Sequence, residues 1–307
     1  MCLVLMASSL SNLKEAYLLS VRLLCFLIGI MMALSSCSKD ATADDADGDD
    51  DLRTVTFSVM DVENKPLAST RAVADLCNRL SLALFDYGSG EKVIQIDQTN
   101  IDEDFGFFEV KLPRGSYRMV VIGYTSNEAA TISSYQNVSF YKNNIIDVYS
   151  YYYAFTLAEY DASIKAELKR VTSKIRLQIT GDIPDNAYKI IMRYASPARD
   201  FNPYTGLGIT PKSYSLQRIR TNGGLEIINA NFFTMDNPQK LDTLVITAYT
   251  NTDKILRQVK FINSIDIAPN MLTLIKGDFF KNTLKTAVAV DDSWGATNEY
   301  EIPEETE

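Results

Sequence analysis

The chain has 307 residues, a net charge of -9, no histidine and four cysteines. Without histidine it can build neither a His-ligated metal site nor a Ser-His-Asp or Cys-His nucleophile. The acidic balance argues against nucleic acid, whose binding runs on clustered Lys and Arg, and nothing calls for a cofactor or points to an enzyme.

The first legible segment is the apolar run Leu23 to Leu34, preceded by Lys14 and Arg22 and closed by Ser35-Ser36-Cys37. It is too short to span a bilayer and reads as a cleaved export signal, 1–36. A cysteine directly after small residues is a lipobox. Cleavage before Cys37 and attachment of diacylglycerol to its sulfur leave a protein that is tethered and does not span. Several acyl chains, at about 0.8 kcal/mol per buried CH₂, hold such a tether essentially permanently. Lys39 to Asp51 then carries seven aspartates among Ala, Thr and Gly, so 37–52 reads as a solvated linker. It fails as a calcium loop: with Gly48 in the sixth place, Ala43 takes the first and Thr54 the twelfth, where acidic ligands are required. Acidic residues just after a lipidated cysteine resemble the export signal of surface lipoproteins of Bacteroidota, which implies a lipid anchor exposed on the cell outer membrane.

Processing leaves about 270 residues, enough for two domains that each bury a core. Of the cysteines, Cys37 and Cys77 remain. An acylated Cys37 cannot pair, and Cys77 reads as a small buried apolar residue. From Arg53 the pattern is of strands. Arg53 to Val59, Arg79 to Phe85 and Tyr117 to Tyr124 alternate with period two, with turns at Tyr87-Gly88-Ser89-Gly90 and Pro113-Arg114-Gly115. Helical periodicity is nearly absent, and 17 Tyr with 14 Phe suit pleated surfaces. The expectation for 53–157 is an antiparallel β-sandwich. A second sandwich is expected over 158–307, opening with Lys169 to Ile179, which puts Val171, Ile175, Leu177 and Ile179 on one face. Its further strands read as Lys189 to Tyr194, Leu225 to Phe233, Thr243 to Thr250, Ile255 to Phe261 and Leu272 to Phe280, with Ser196 to Pro211 as a long loop.

Three phrases carry a family resemblance. Leu112-Pro113-Arg114-Gly115-Ser116-Tyr117 resembles the "L-P-x-G-x-Y" hairpin of the fimbrillin superfamily. Leu168-Lys169-Arg170-Val171-Thr172-Ser173-Lys174-Ile175 is similar to the opening of its second domain, and Pro269-Asn270-Met271-Leu272-Thr273 to a late strand. Phe105-Gly106-Phe107, Tyr151-Tyr152-Tyr153 and Phe201 to Gly208 add to the likeness. Taken in order after a lipobox, they resemble most the fimbrial anchor and assembly subunits of Bacteroidota. That resemblance implies two tandem transthyretin-like antiparallel β-sandwiches, all-β, held at the membrane by lipid. It also implies fimbrial stalk subunits as partners, joined by strand donation: a sandwich edge with unpaired backbone groups accepts a partner's extended segment.

Two alternatives stay open. In polymerising relatives a protease cuts after an arginine like Arg71, leaving Ala72 as the N-terminus and removing the first strand; that would make this chain a stalk or tip subunit. A glycan-binding surface lipoprotein, using aromatics of the second sandwich, is the other. Ala287 to Val290 could be a donor strand or an internal edge, and Trp294 reads as a core or interdomain plug. Acidic residues at Asp97 to Asp104 and Asp291-Asp292 could meet calcium but read first as solvated turns. Gly115, between Pro113 and Tyr117, is expected to sit at positive φ, so that Gly115→Val would destabilise the first sandwich.

Overall fold

The computed structural model describes residues 52–63, 73–141, 145, 147–281 and 296–299. The first strands are β1 (Leu52–Glu63), β2 (Arg79–Asp86), β3 (Lys92–Thr99), β4 (Phe107–Pro113) and β5 (Gly115–Tyr124), with one helical turn, α1 (Val73–Leu76), before β2. Next come β6 (Thr131–Ser134), β7 (Asn137–Ser139), β8 (Val148–Leu157) and β9 (Ala162–Arg170). Seven of them form one sheet in the order β3-β2-β5-β8-β9-β1-β4. This sheet folds on itself: Leu82 of β2, Met119 of β5 and Tyr149 of β8 share a core with Phe57 of β1, Val110 of β4 and Leu168 of β9. The pattern in β4 shows why. Phe108, Val110 and Leu112 are buried while Phe107, Glu109 and Lys111 are exposed, the alternation of a strand with one wet face. In β2 and β5 the alternation disappears, because both faces are covered.

The second half contributes β10 (Ser173–Ile179), β11 (Lys189–Ala195), β12 (Asp200–Asn202), β13 (Leu207–Gly208), β14 (Tyr214–Ile219) and β15 (Ile227–Phe232). It is completed by β16 (Gln239–Tyr249), β17 (Ile255–Ile267), β18 (Met271–Gly277) and β19 (Ala296–Glu299). Two four-stranded sheets, β15-β10-β18-β19 and β14-β11-β16-β17, face each other around Leu177, Met192, Ile228, Phe232, Ile246 and Ile275. A small sheet, β13-β12-β7-β6, covers the outer face of β2 and β5. There Phe85, Val120 and Ile122 pack with Ile132, Val138, Phe201 and Phe233.

The chain is therefore all-β with two sandwich cores in succession, as expected. Three differences have physical reasons. The sandwiches are not wholly antiparallel, since β1–β9, β10–β18 and β18–β19 run parallel, a pairing that a tight hairpin cannot make. The change of sheet falls after Arg170 and not at 157/158, because β9 pairs with β1 and β8. Val171 consequently does not share a face with Ile175: it belongs to the core under the small sheet, and Ile175 to that of the second sandwich. The loop Ser196 to Pro211 holds β12 and β13 and buries Phe201 completely.

Gly115 is the first residue of β5, opposite Leu157, and its backbone is not left-handed; a Cβ there meets only the Tyr117 ring at ordinary distance. The Tyr117 hydroxyl donates to the Pro113 carbonyl at 2.8 Å, which closes this hairpin by a side chain and not by a special glycine conformation. Gly123 is the intolerant position. A Cβ there would lie 2.8 Å from Leu168 and 2.9 Å from the Cys77 sulfur. Gly123→Ala is expected to cost about 1–3 kcal/mol by overpacking, and Gly115→Ala less than about 1 kcal/mol; denaturant midpoints of both variants check the ranking.

Candidate functional site

Of the residues singled out from the sequence, Cys37, Arg71, Ala72, Ala287 to Val290, Asp291-Asp292 and Trp294 lie outside the described residues. Arg71 and Ala72 fall in the connection between β1 and α1, and β1 is an inner strand, flanked antiparallel by β4 and parallel by β9. Its Val55, Phe57 and Val59 are core residues. Within Asp97 to Asp104, Asp102 serves a local turn, accepting from the Thr99 amide at 2.7 Å, and Asp97 accepts across the β2–β3 ladder from the Ser81 hydroxyl at 2.5 Å. Buried Gln98 ties this turn together, donating to the carbonyls of Asp104 and Phe107 and accepting from the Gly106 amide. Among the described residues no group of three or more Cys, Asp or Glu is arranged to hold a metal.

An unpaired stretch of the first sandwich lies between β8 and β9. Strand β8 pairs with β5 along its whole length, from Gly115↔Leu157 to Tyr124↔Val148. With β9 it meets only at Tyr149↔Arg170 and Ser150↔Lys169. Beyond that corner the two strands splay, so among the described residues Tyr151 to Leu157 of β8 and Ala162 to Leu168 of β9 present edges to which no strand is paired. The side chains that face the core across this opening are aromatic. Tyr151 stacks on Tyr153 at 6.2 Å and Tyr153 on Phe155 at 6.5 Å, with ring planes 22° and 7° apart. Phe155 in turn meets Phe57 of β1 edge-on at 6.1 Å. Tyr153 is 44% exposed, a large ring on the core side of a sandwich left half in water. The strand carries no charged residue from Val148 to Leu157, whereas natural edges are usually guarded by Lys, Pro or a bulge. The Tyr151-Tyr152-Tyr153 phrase hinted at aromatic exposure; the splay could not be read, since period two tells which face is buried and not which edge lacks a partner.

At the corner where β8 and β9 do meet, two of the sequence phrases converge. Arg170, 5% exposed, donates to the Tyr149 hydroxyl at 2.5 Å and to Asn270 Oδ1 at 3.2 Å, with the Asp147 carboxylate 3.9 Å from its Nε. Lys174 of β10 reaches the same carboxylate at 3.6 Å. Asn270 sits in the left-handed region at φ 56°, a conformation Asn tolerates better than most residues, and its amide donates to the Thr172 carbonyl at 2.9 Å. Cys77 lies against this cluster. Burial, reinforced by the Asp147 carboxylate and opposed by Arg170, pushes its thiol up from 9.0 to about 12. Burial likewise raises Tyr149 to about 12, against the pull of Arg170.

A family model for fimbrillin-A associated anchor proteins Mfa1 and Mfa2 matches residues 54–300. The chain belongs to that family. No curated protein matches it significantly. Among solved structures, a candidate polysaccharide-binding protein of Bacteroides thetaiotaomicron is 12% identical, with a TM-score of 0.49 over 69% of this chain and 80% of that one. A candidate adhesin of Bacteroides ovatus is 13% identical, with a TM-score of 0.47 over 88% and 99%. The fimbrial anchor protein Mfa2 of Porphyromonas gingivalis is 16% identical, with a TM-score of 0.41 over 70% and 84%. Overlaps of this quality carry no functional information. For this member of the family the match covers both cores, from β1 to the region of β19.

Two expectations follow from the corner. Arg170→Met should cost about 3 kcal/mol by removing the guanidinium from Tyr149 and Asn270 and leaving Asp147 with Lys174 alone, and adding Asp147→Asn should return part of that loss, as read from urea unfolding of the single and double variants. Cys77 and Tyr149 favour their protonated forms when folded, so their contribution is fully present below the unfolded values of 9.0 and 10.0 and is lost as pH rises towards about 12. The melting temperature should fall steadily above about pH 9, and Cys77 should resist iodoacetamide at neutral pH until the protein is unfolded.

Proposed function

We propose that this chain is an outer-membrane lipoprotein, acylated at Cys37 after removal of 1–36, that anchors a fimbrial polymer by accepting an extended strand of a fimbrial subunit along the splayed β8–β9 edge. The observation that carries the reading is the family match over 54–300. Supporting it is the β8 side of that edge, uncharged and aromatic, of a kind that invites strand addition. A strand laid between β8 and β9 would satisfy two rows of backbone groups and cover Tyr153. No catalytic step is required. The solvated linker 37–52 would carry the fold away from the membrane by up to about 50 Å. It would enter the sandwich at the open end of the edge, because Arg53 donates to the Glu159 carbonyl and the Thr54 amide to Asp161 in the β8–β9 turn. Retention of β1 also fits an uncut anchor: cleavage after Arg71 would free the strand that carries Val55, Phe57 and Val59 in the core, and with it the lipid.

A single fractionation experiment with three variants tests this. Cys37→Ser should release the protein from membranes and abolish palmitate labelling. Tyr153→Lys should leave the melting temperature near that of the parent, since the ring is 44% exposed, yet shed the fimbrial polymer into the medium. Arg71→Ala should change neither attachment nor chain mass. Palmitate retained by the Ser variant would remove the lipid anchor from the reading, and polymer retained by Tyr153→Lys would move the docking edge elsewhere. Ala72 found as the N-terminus of protein taken from intact fimbriae, with assembly blocked by Arg71→Ala, would make this a stalk or tip subunit.

A further inference from the structure

The opposite face of the same strands carries a second arrangement, which meets the open edge only at Tyr153 and Phe155. Side chains on the outer face of β5 and β8 pair as Ser116↔Thr156, Arg118↔Ala154 and Val120↔Tyr152. Arg118 lies between two rings, its Cζ 3.9 Å from the centroid of Tyr87 and 4.4 Å from that of Tyr135. Its Nη1 donates to the Tyr87 carbonyl at 2.5 Å. Tyr135 packs on Tyr152 at 6.2 Å, and Tyr152 meets Tyr204 edge-on at 5.0 Å. Tyr87 is 48% exposed and Tyr204 60%. A shallow depression of about 530 Å³, lined by Tyr87, Ser116, Ala154, Thr156 and the edge residues Tyr153 and Phe155, continues this surface.

The tyrosines come from turns far apart in sequence that are each held by side chains. In the β2–β3 turn, Asp86 accepts from the amides of Gly88 and Ser89. In the β6–β7 turn the Gln136 amide donates to Ser134. In the β12–β13 turn the Tyr204 amide donates to Asn202 Oδ1 at 2.9 Å, and Gly206 takes φ +74°. Rings fixed before binding lose little entropy when a ligand arrives.

We infer that this face is a binding site for a short oligosaccharide. A pyranose offers an apolar C–H face rimmed by hydroxyls, and the surface offers the complement: ring faces with phenolic edges, the Ser116 and Thr156 hydroxyls 2.9 Å apart, and a guanidinium fixed by two rings. A volume of this size suits a ligand of a few rings. An apolar peptide would need aliphatic pockets, and among the described residues the only aliphatic side chain lining the depression is Ala154.

The full chain is exposed to a printed array of neutral and acidic oligosaccharides, and glycans retained on it are titrated by saturation-transfer NMR. Tyr87→Ala and Tyr204→Ala should each weaken binding about tenfold, Tyr204→Phe should keep most of it, and Tyr160→Ala, at a ring 81% exposed in the β8–β9 turn, should leave it unchanged. Polymer attachment should survive the Tyr87 and Tyr204 substitutions, which separates this site from the docking edge. The proposal is overturned by absence of any glycan binding up to about 10 mM, by binding indifferent to both tyrosines, or by loss of polymer attachment in their place, which would make the face a protein contact.

Discussion

The architecture depends on how a chain leaves one sheet and enters the next without abandoning polar groups in the interior. Between β9 and β10 that passage is made at Arg170, Val171 and Thr172, and the buried guanidinium is what organises it. A lone cation there would be costly. It is tolerated because Asp147 and Tyr149 at the start of β8 and Asn270 in the β17–β18 turn reach it from two other segments, so the last residue of the first sheet cannot be placed until both are in position. The Thr172 carbonyl takes the Asn270 amide and Val171 closes the core beneath the small sheet. One side chain thus couples the register of two sandwiches that otherwise keep separate cores.

Much of this was legible in the residues. Period two placed β1 and β10; it also reads across β2 and β5, where the structure buries nearly every residue because both faces are covered. Where the reading slipped, an actual competition explains it. The segment Ala162 to Arg170 mixes small and apolar residues with Lys165, Glu167 and Lys169, a pattern that marks one wet face but does not reveal which sheet owns the strand; parallel pairing with β1 decides that, and parallel pairing is non-local. Val171 looked like one more inward residue of β10 because a change of sheet leaves no mark on period two. Gly115 carried the conventional signature of a left-handed turn, yet the Tyr117 hydroxyl already ties back to Pro113.

The phrases that suggested the family prove to be structural. Pro113 and Tyr117 close a hairpin, Arg170 and Asn270 bond each other, and Tyr204 and Gly206 shape the β12–β13 turn. The phrases supply some of the rings at the exposed surfaces, Tyr152, Tyr153 and Tyr204, but what brings those rings together is encoded in no short phrase. The β8–β9 splay arises because ten residues of β8 follow β5 while β9 turns away to follow β1, and the tyrosine face arises because three turns land on one side of that strand. Strand β8 therefore serves two surfaces with alternate side chains, Tyr151, Tyr153 and Phe155 towards the core and Tyr152 and Ala154 away from it.

The position of β1 has a mechanical consequence. It lies between β4 and β9 and begins at Leu52, so tension applied from its N-terminal side runs along the strand axis and not across it. Both ladders are then loaded in shear, with many hydrogen bonds resisting together, and rupture requires the whole strand to slide past its neighbours. Were β1 an edge strand pulled crosswise, its bonds would open one after another at far lower force. A fold tugged by flow at a surface filament would hold best when gripped in the first of these two ways.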